Sequence, residues 1–182
     1  MSALGAFVRA VDSLNDRIGR AIAWLTLGMV LITFTVVVLR YVYAIGWVWL
    51  QESYVWLHGI VFMVGAGYTL RHDGHVRVDV IYRPKGYRYK AVIDLLGSIF
   101  LLTPLIIMVV YASYDYVIDS WARLEESREA GGMPALYLLK SVILVFCLLL
   151  GLQGLSLAAR SFLVLRGHPE FVPQEEKAVD GV

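Results

Sequence analysis

The chain has 182 residues, of which 59% are hydrophobic and 17% charged, and its net charge is +1. Soluble domains average about 45–50% apolar and about 25% charged residues, so the composition excludes an ordinary soluble enzyme domain, and the charge gives no footing for nucleic acid. One cysteine, Cys147, excludes an intramolecular disulfide.

Residues 4–18 place Leu4, Phe7, Val8, Val11, Leu14 and Ile18 on one helical face and Arg9, Asp12, Ser13, Asp16 and Arg20 on the other. This segment is too polar to cross a bilayer. It is expected to be an amphipathic helix lying in the membrane interface before the chain turns into its first span; the alternative is a helix packed on another protein. The apolar run at 21–39 is longer than a signal-peptide core, and Arg40-Tyr41 rather than a small-residue cleavage site follows it. It reads as a retained span.

Three more stretches are free of Asp, Glu, Lys and Arg: 53–70, 95–114 and 141–159. About 20 apolar residues cross the hydrocarbon core as a helix, and backbone exposed to lipid must satisfy its own hydrogen bonds. Continuous rather than alternating apolar runs exclude a β-barrel. The expected fold is therefore an all-α membrane protein with four transmembrane helices at about 21–41, 50–71, 91–114 and 134–160. Together with the interfacial helix they form one domain over 1–166, followed by a disordered tail at 167–182. Pro104 is expected to kink the third span, Gly74 to end the second, and Pro134 to open the fourth.

Lys and Arg set the orientation. Twelve fall in the N-terminal segment, the loop between spans two and three, and the C-terminal end, against four on the other side. Both termini are therefore expected to be cytoplasmic. Asp115, Asp119, Glu125, Glu126 and Glu129 make the loop after span three acidic and outward-facing. Tyr41, Tyr43, Trp47, Trp49, Tyr54 and Trp56 at the first outer turn, and Tyr111, Tyr114, Tyr116 and Trp121 at the second, form an aromatic belt at headgroup level.

Few residues could carry chemistry. Ionisable groups at membrane depth usually mark a pathway or a partner, and here they are His58 in span two and Asp94 near the inner end of span three. Haem held between helices needs a second ligand, and no second histidine shares the depth of His58; a hydrogen-bonded interface histidine is the expected role. No phosphate loop, dinucleotide glycine pattern, Cys-x-x-Cys or His-Glu-x-x-His is present. The chain is thus expected to be no enzyme, to hold no cofactor or metal, and to act as a scaffold or accessory subunit.

Three further features stand out. Arg40 and Glu52 flank the first outer turn, where they form either an ion pair between spans one and two or, for Glu52, a solvated helix N-terminus. After Arg71, the stretch 75–80 alternates His75, Arg77 and Asp79 with Val76, Val78 and Val80, an extended segment that either hugs the membrane or docks a partner. Gly59, Gly65 and Gly67 in span two, with Gly28, Gly151 and Gly154 elsewhere, allow close helix approach.

Arg40-Tyr41, Trp49-x-x-Glu52, Gly65, Arg71 and His75-Val-x-Val-Asp79 follow one another in an order and spacing that resemble the small membrane subunit, DctQ type, of tripartite ATP-independent periplasmic (TRAP) transporters. The resemblance covers residues 20–165; Gln51 departs from it, since the family often has a second acid there. It implies a bacterial inner-membrane protein in a system of three. A periplasmic substrate-binding protein captures an organic acid. A large membrane subunit, which binds the sodium ions, transports the acid. The small subunit braces the large one among membrane lipids and has no cofactor of its own. Arg40, Trp49, Glu52, Gly65, Arg71, His75 and Asp79 are the expected interface or structural residues. The competing reading is a membrane anchor of a redox complex, with His58 at a haem or quinone site.

Overall fold

The computed structural model describes residues 3–76 and 86–172. Among these, all regular structure is helical. Four helices are each long and apolar enough to cross a membrane: α1 (Ala3–Val42), α2 (Val48–Arg71), α3 (Tyr87–Ala122) and α4 (Leu136–Leu165). A short 3-10 turn, Pro169–Phe171, follows. The α1–α2 turn and the α3–α4 loop share one end of the molecule, the hairpin end; the start of α1 and the end of α4 lie at the other, the terminal end.

α4 is the centre of the packing. It touches all three other helices, while α1 and α2 pack on each other and α3 joins the rest chiefly through α4. Its sequence suits that position. Cys147, Leu149, Leu150, Gln153, Gly154 and Ser156 are all buried, covering about half of the helix circumference. The apolar faces of the other helices stay open: Trp24, Leu27, Val30, Leu31 and Phe34 of α1 are exposed, as are Phe100, Leu101, Ile107 and Met108 of α3. Surface of this kind needs lipid or a neighbouring protein against it.

The structure changes four expectations. First, α1 runs unbroken for 40 residues, so segment 4–18 is its opening part and not a separate helix before a turn. The buried stripe is Gly5, Val8, Val11, Asp12, Asn15 and Gly19, spaced as one helical face, whereas Phe7 and Leu14 are partly exposed. Asp12, assigned by pattern to the solvated face, is buried because α4 supplies partners for its carboxylate. Second, α2 ends at Arg71 with the left-handed residue at Asp73 (φ 52°) rather than at Gly74. Gly74 N–H donates to Thr69 O (2.9 Å) and Asp73 N–H to Leu70 O (3.4 Å), the paired bonds of a Schellman ending.

Pro104, expected to kink the third span, lies inside the continuous helix α3. The helix passes through a π turn at Ser98–Leu102, which absorbs the hydrogen bond that a proline cannot donate; Thr103 Oγ1 also donates to Ser98 O (2.8 Å). Third, α4 starts at Leu136, behind Ala135 in the left-handed region (φ 65°), so Pro134 precedes the helix. Fourth, residues 167–172 return to the bundle: Val172 is buried with Ala91 and Val164. The remaining tail, from 173, and segment 77–85 with Asp79 lie outside the described residues.

Candidate functional site: polar clasps at the two ends of the bundle

Polar side chains gather at both ends of the helices. At the terminal end, Asp12 of α1 is surrounded by donors from α4. Its Oδ1 accepts from Gln153 Nε2 (2.9 Å) and Ser156 Oγ (3.0 Å), and its Oδ2 pairs with Arg160. Gln153, Ser156 and Arg160 follow one another at helical spacing, so a single face of α4 presents all three. Asn15, one turn further along α1, donates from Nδ2 to Gln153 Oε1 (2.8 Å). Gln153 thus bridges two α1 residues and has both ends of its amide engaged. Burying a carboxylate costs several kcal/mol unless it is paired and hydrogen-bonded; here three groups meet it.

α2 closes the same clasp. Arg71 donates to the main-chain oxygen of Asp12 and pairs with Asp16 Oδ1. His72 Nε2 also lies 2.9 Å from Asp16 Oδ1; an ionised carboxylate only accepts, so the ring nitrogen is the donor. Helices α1, α2 and α4 are therefore tied by charge at one level. Beside the clasp lies a cavity of about 60 Å³, lined in part by Arg71, Lys90, Asp94 and Arg160. Charges of both signs surround it, which suits neither a lone cation nor a lone anion.

The three helices are also closest here. A methyl group added to Gly67 would stand 2.4 Å from Asn15 Oδ1 and 3.2 Å from Leu149 O, and one added to Gly19 would strike the Tyr68 ring at 2.3 Å. Asn15 Oδ1 has no conventional partner among the described residues. It occupies the space that a side chain at Gly67 would need. Gly65, singled out by sequence, is less tight: a methyl group there would meet Ile22 at 3.5 Å.

At the hairpin end, Glu52 of α2 clasps the α3–α4 loop. It accepts the Met133 N–H and the Ser127 hydroxyl, and Trp49 N–H donates to Gly131 O (3.1 Å). The first turn of α2, whose N–H groups lack helical partners, thus holds the loop with both main chain and carboxylate. Gly132 fits only as glycine, since a methyl group would lie 2.5 Å from Ser127 Oγ and 2.8 Å from Glu52 Oε2. Glu125 forms a second clasp: it accepts from Ser120 Oγ (2.7 Å) and pairs with Lys140, which in turn sits 3.9 Å from the Tyr116 ring centroid. The Lys140 hydrogen bond, followed by that from Ser120, holds the Glu125 carboxyl below the usual glutamate range.

The residues singled out by sequence thus divide. Trp49 and Glu52 meet at the hairpin end, and the Trp47 and Trp49 rings stack with centroids 6.1 Å apart. Arg71 enters the terminal clasp. His75 only approaches it, with Nε2 3.4 Å from Ala66 O. Arg40, in the last turn of α1, is exposed and does not pair with Glu52, whose oxygens are taken by the loop. Sequence reasoning passed over Asp12, Asn15, Gln153, Ser156 and Arg160. The available signal was the polar stripe 153–156–160 in an otherwise apolar helix.

The sequence matches, over residues 29–164, the family described as tripartite ATP-independent periplasmic transporters, DctQ component. The match covers most of the chain, and the chain belongs to this family of transporter components. No curated protein and no solved structure matches it.

Proposed function

We propose that this chain is the non-catalytic scaffold of a TRAP transporter, lying in the bacterial inner membrane with both termini cytoplasmic. It braces a large membrane subunit that takes up an organic acid with sodium ions, the acid being delivered by a periplasmic binding protein. One observation carries the reading: most of the buried polar side chains among the described residues, Asp12, Asn15, Ser120, Gln153 and Ser156, lie in clasps towards the two ends of the bundle, where they fasten its helices to one another. A conduction path needs ionisable or polar groups lining a route through the membrane. The charged groups of the clasps hold a shape, and broad apolar faces are left for neighbours.

In this arrangement the hairpin end is periplasmic, and the clasped 123–135 loop gives it a fixed outline. The twelve-to-four distribution of Lys and Arg supports the orientation. Arg40, exposed at the same end, is free to meet the large subunit; the His75–Asp79 stretch is assigned the same role at the cytoplasmic end. Transport in liposomes tests the proposal. Membranes reconstituted with both membrane subunits and the binding protein should take up the acid, and this chain alone should not. Sodium-dependent uptake by this chain alone would overturn the scaffold reading.

A further inference from the structure

The groove between α1 and α2 is lined by Met29, Val30, Thr33, Tyr54, Val55 and His58 and has a volume of about 420 Å³. His58 lies ten residues into α2, about 15 Å along the helix from Val48, which brings it near mid-membrane, level with the centre of the apolar run of α1. Its side chain is exposed, and its ring stacks on that of Phe62 with centroids 6.4 Å apart. Among the described residues neither the His58 imidazole nor the Tyr54 hydroxyl one turn away has a hydrogen-bond partner. The contrast with nearby hydroxyls is direct: Thr33 and Thr35 return theirs to carbonyls of their own helix, each at 2.8 Å.

An imidazole facing hydrocarbon with neither nitrogen bonded is costly. Acyl chains offer it nothing, and headgroups are about 15 Å away along the helix. We infer that this groove seats a transmembrane helix of the large membrane subunit, and that this helix brings a hydrogen-bonding side chain to His58 and Tyr54. The inference rests on the function proposed above. The groove lies wholly within the matched region 29–164, in a family that is by description one component of a multi-part transporter. Val30 and Val55, both more than half exposed, supply apolar walls, and the two unpaired polar groups supply the register.

The test uses the intact complex in membranes holding all components. A photo-crosslinking amino acid at Val55 should yield an adduct with the large subunit, whereas one at Phe100 on α3 serves as the control face. His58→Leu should reduce co-purified large subunit about three- to tenfold, the worth of one hydrogen bond between membrane helices. His58→Gln should recover it, and the melting temperature of the isolated chain should be the same for all three forms. Adducts from position 55 only to lipid, or to a second copy of this chain, would overturn the inference, as would undiminished co-purification of His58→Leu. If wild-type chain brings down no second membrane subunit at all, the proposed function itself falls, a result distinct from these.

Discussion

Asp12 and Arg160 stand 148 positions apart in the chain and form an ion pair between the start of α1 and the last turns of α4. The Asp12 side chain is 11% exposed and that of Arg160 27%, so the pair is largely out of water. Removing one member leaves the other charged and unpaired, which costs about 3–5 kcal/mol for a buried pair. Asp12→Ala should therefore lower the thermal unfolding midpoint in detergent sharply. Asp12→Leu combined with Arg160→Met should cost less than Asp12→Ala alone, because no orphaned charge remains. Equal losses from the single and the double variant would show that the pair is not what ties α1 to α4.

Close approach at one glycine, not glycine content in general, sets the packing of α2. Gly67→Ala would drive a methyl group against Asn15 Oδ1, and Asn15 cannot retreat because Gln153 holds its amide. A loss of about 1–3 kcal/mol is expected for overpacking of this kind. Gly65→Ala, with ordinary contact to Ile22, should lie within about 0.5 kcal/mol of wild type or gain from helix propensity. Paired unfolding curves of the two variants check the contrast.

How far the sequence reveals this architecture depends on the range of each interaction. Spans are legible because length and hydropathy are local and the bilayer imposes both. The helix ends are less so: the chain continues as helix past its apolar runs, through polar residues such as Asp12 and Asn15 that no apolar count includes. The terminal clasp is illegible for a further reason. Asp12 on a polar face and Gln153 in an apolar helix each have an ordinary local explanation, and only the fold brings them together. Glu52 stands between these cases. Its position was marked by the family-like spacing with Trp49, but its partners, Ser127 and Met133, lie in a loop whose path depends on three helices.

Loss of the Glu52 carboxylate should loosen that loop. Glu52→Ala leaves the Met133 N–H and the Ser127 hydroxyl without their acceptor, at a cost of about 1–3 kcal/mol if they stay dry. Amide hydrogen exchange across 127–133 should accelerate while exchange in the centre of α4 is unchanged. Exchange as slow as in wild type would mean that the loop is held by other contacts.

Leu124 ends α3 in the left-handed region (φ 46°), with Glu125 N–H donating to Ser120 O (3.0 Å) and Leu124 N–H to Trp121 O (3.1 Å). A leucine there is strained where glycine would not be, and with 63% of its surface exposed it loses little burial. Leu124→Gly should stabilise the protein by about 0.5–1 kcal/mol, read as a higher unfolding midpoint.

The Glu125–Lys140 clasp makes the loop sensitive to acid. Because the folded-state pKa of Glu125 is lowered, its contribution is fully present above the unfolded-chain value, about 4.3. It is lost as pH falls through the lower folded value. Stability should therefore drop as the pH falls below the unfolded-chain value, and Glu125→Gln should flatten that part of the profile. A profile identical to wild type would remove Glu125 from the cause.

The most direct measurement of the central claim is purification of the tagged chain, in mild detergent, from membranes that also contain the large subunit. Scaffolding predicts a stable complex in which the two membrane subunits elute together, survive dilution and melt as one unit. If the chain elutes alone from membranes in which transport is active, it is not the brace of that transporter.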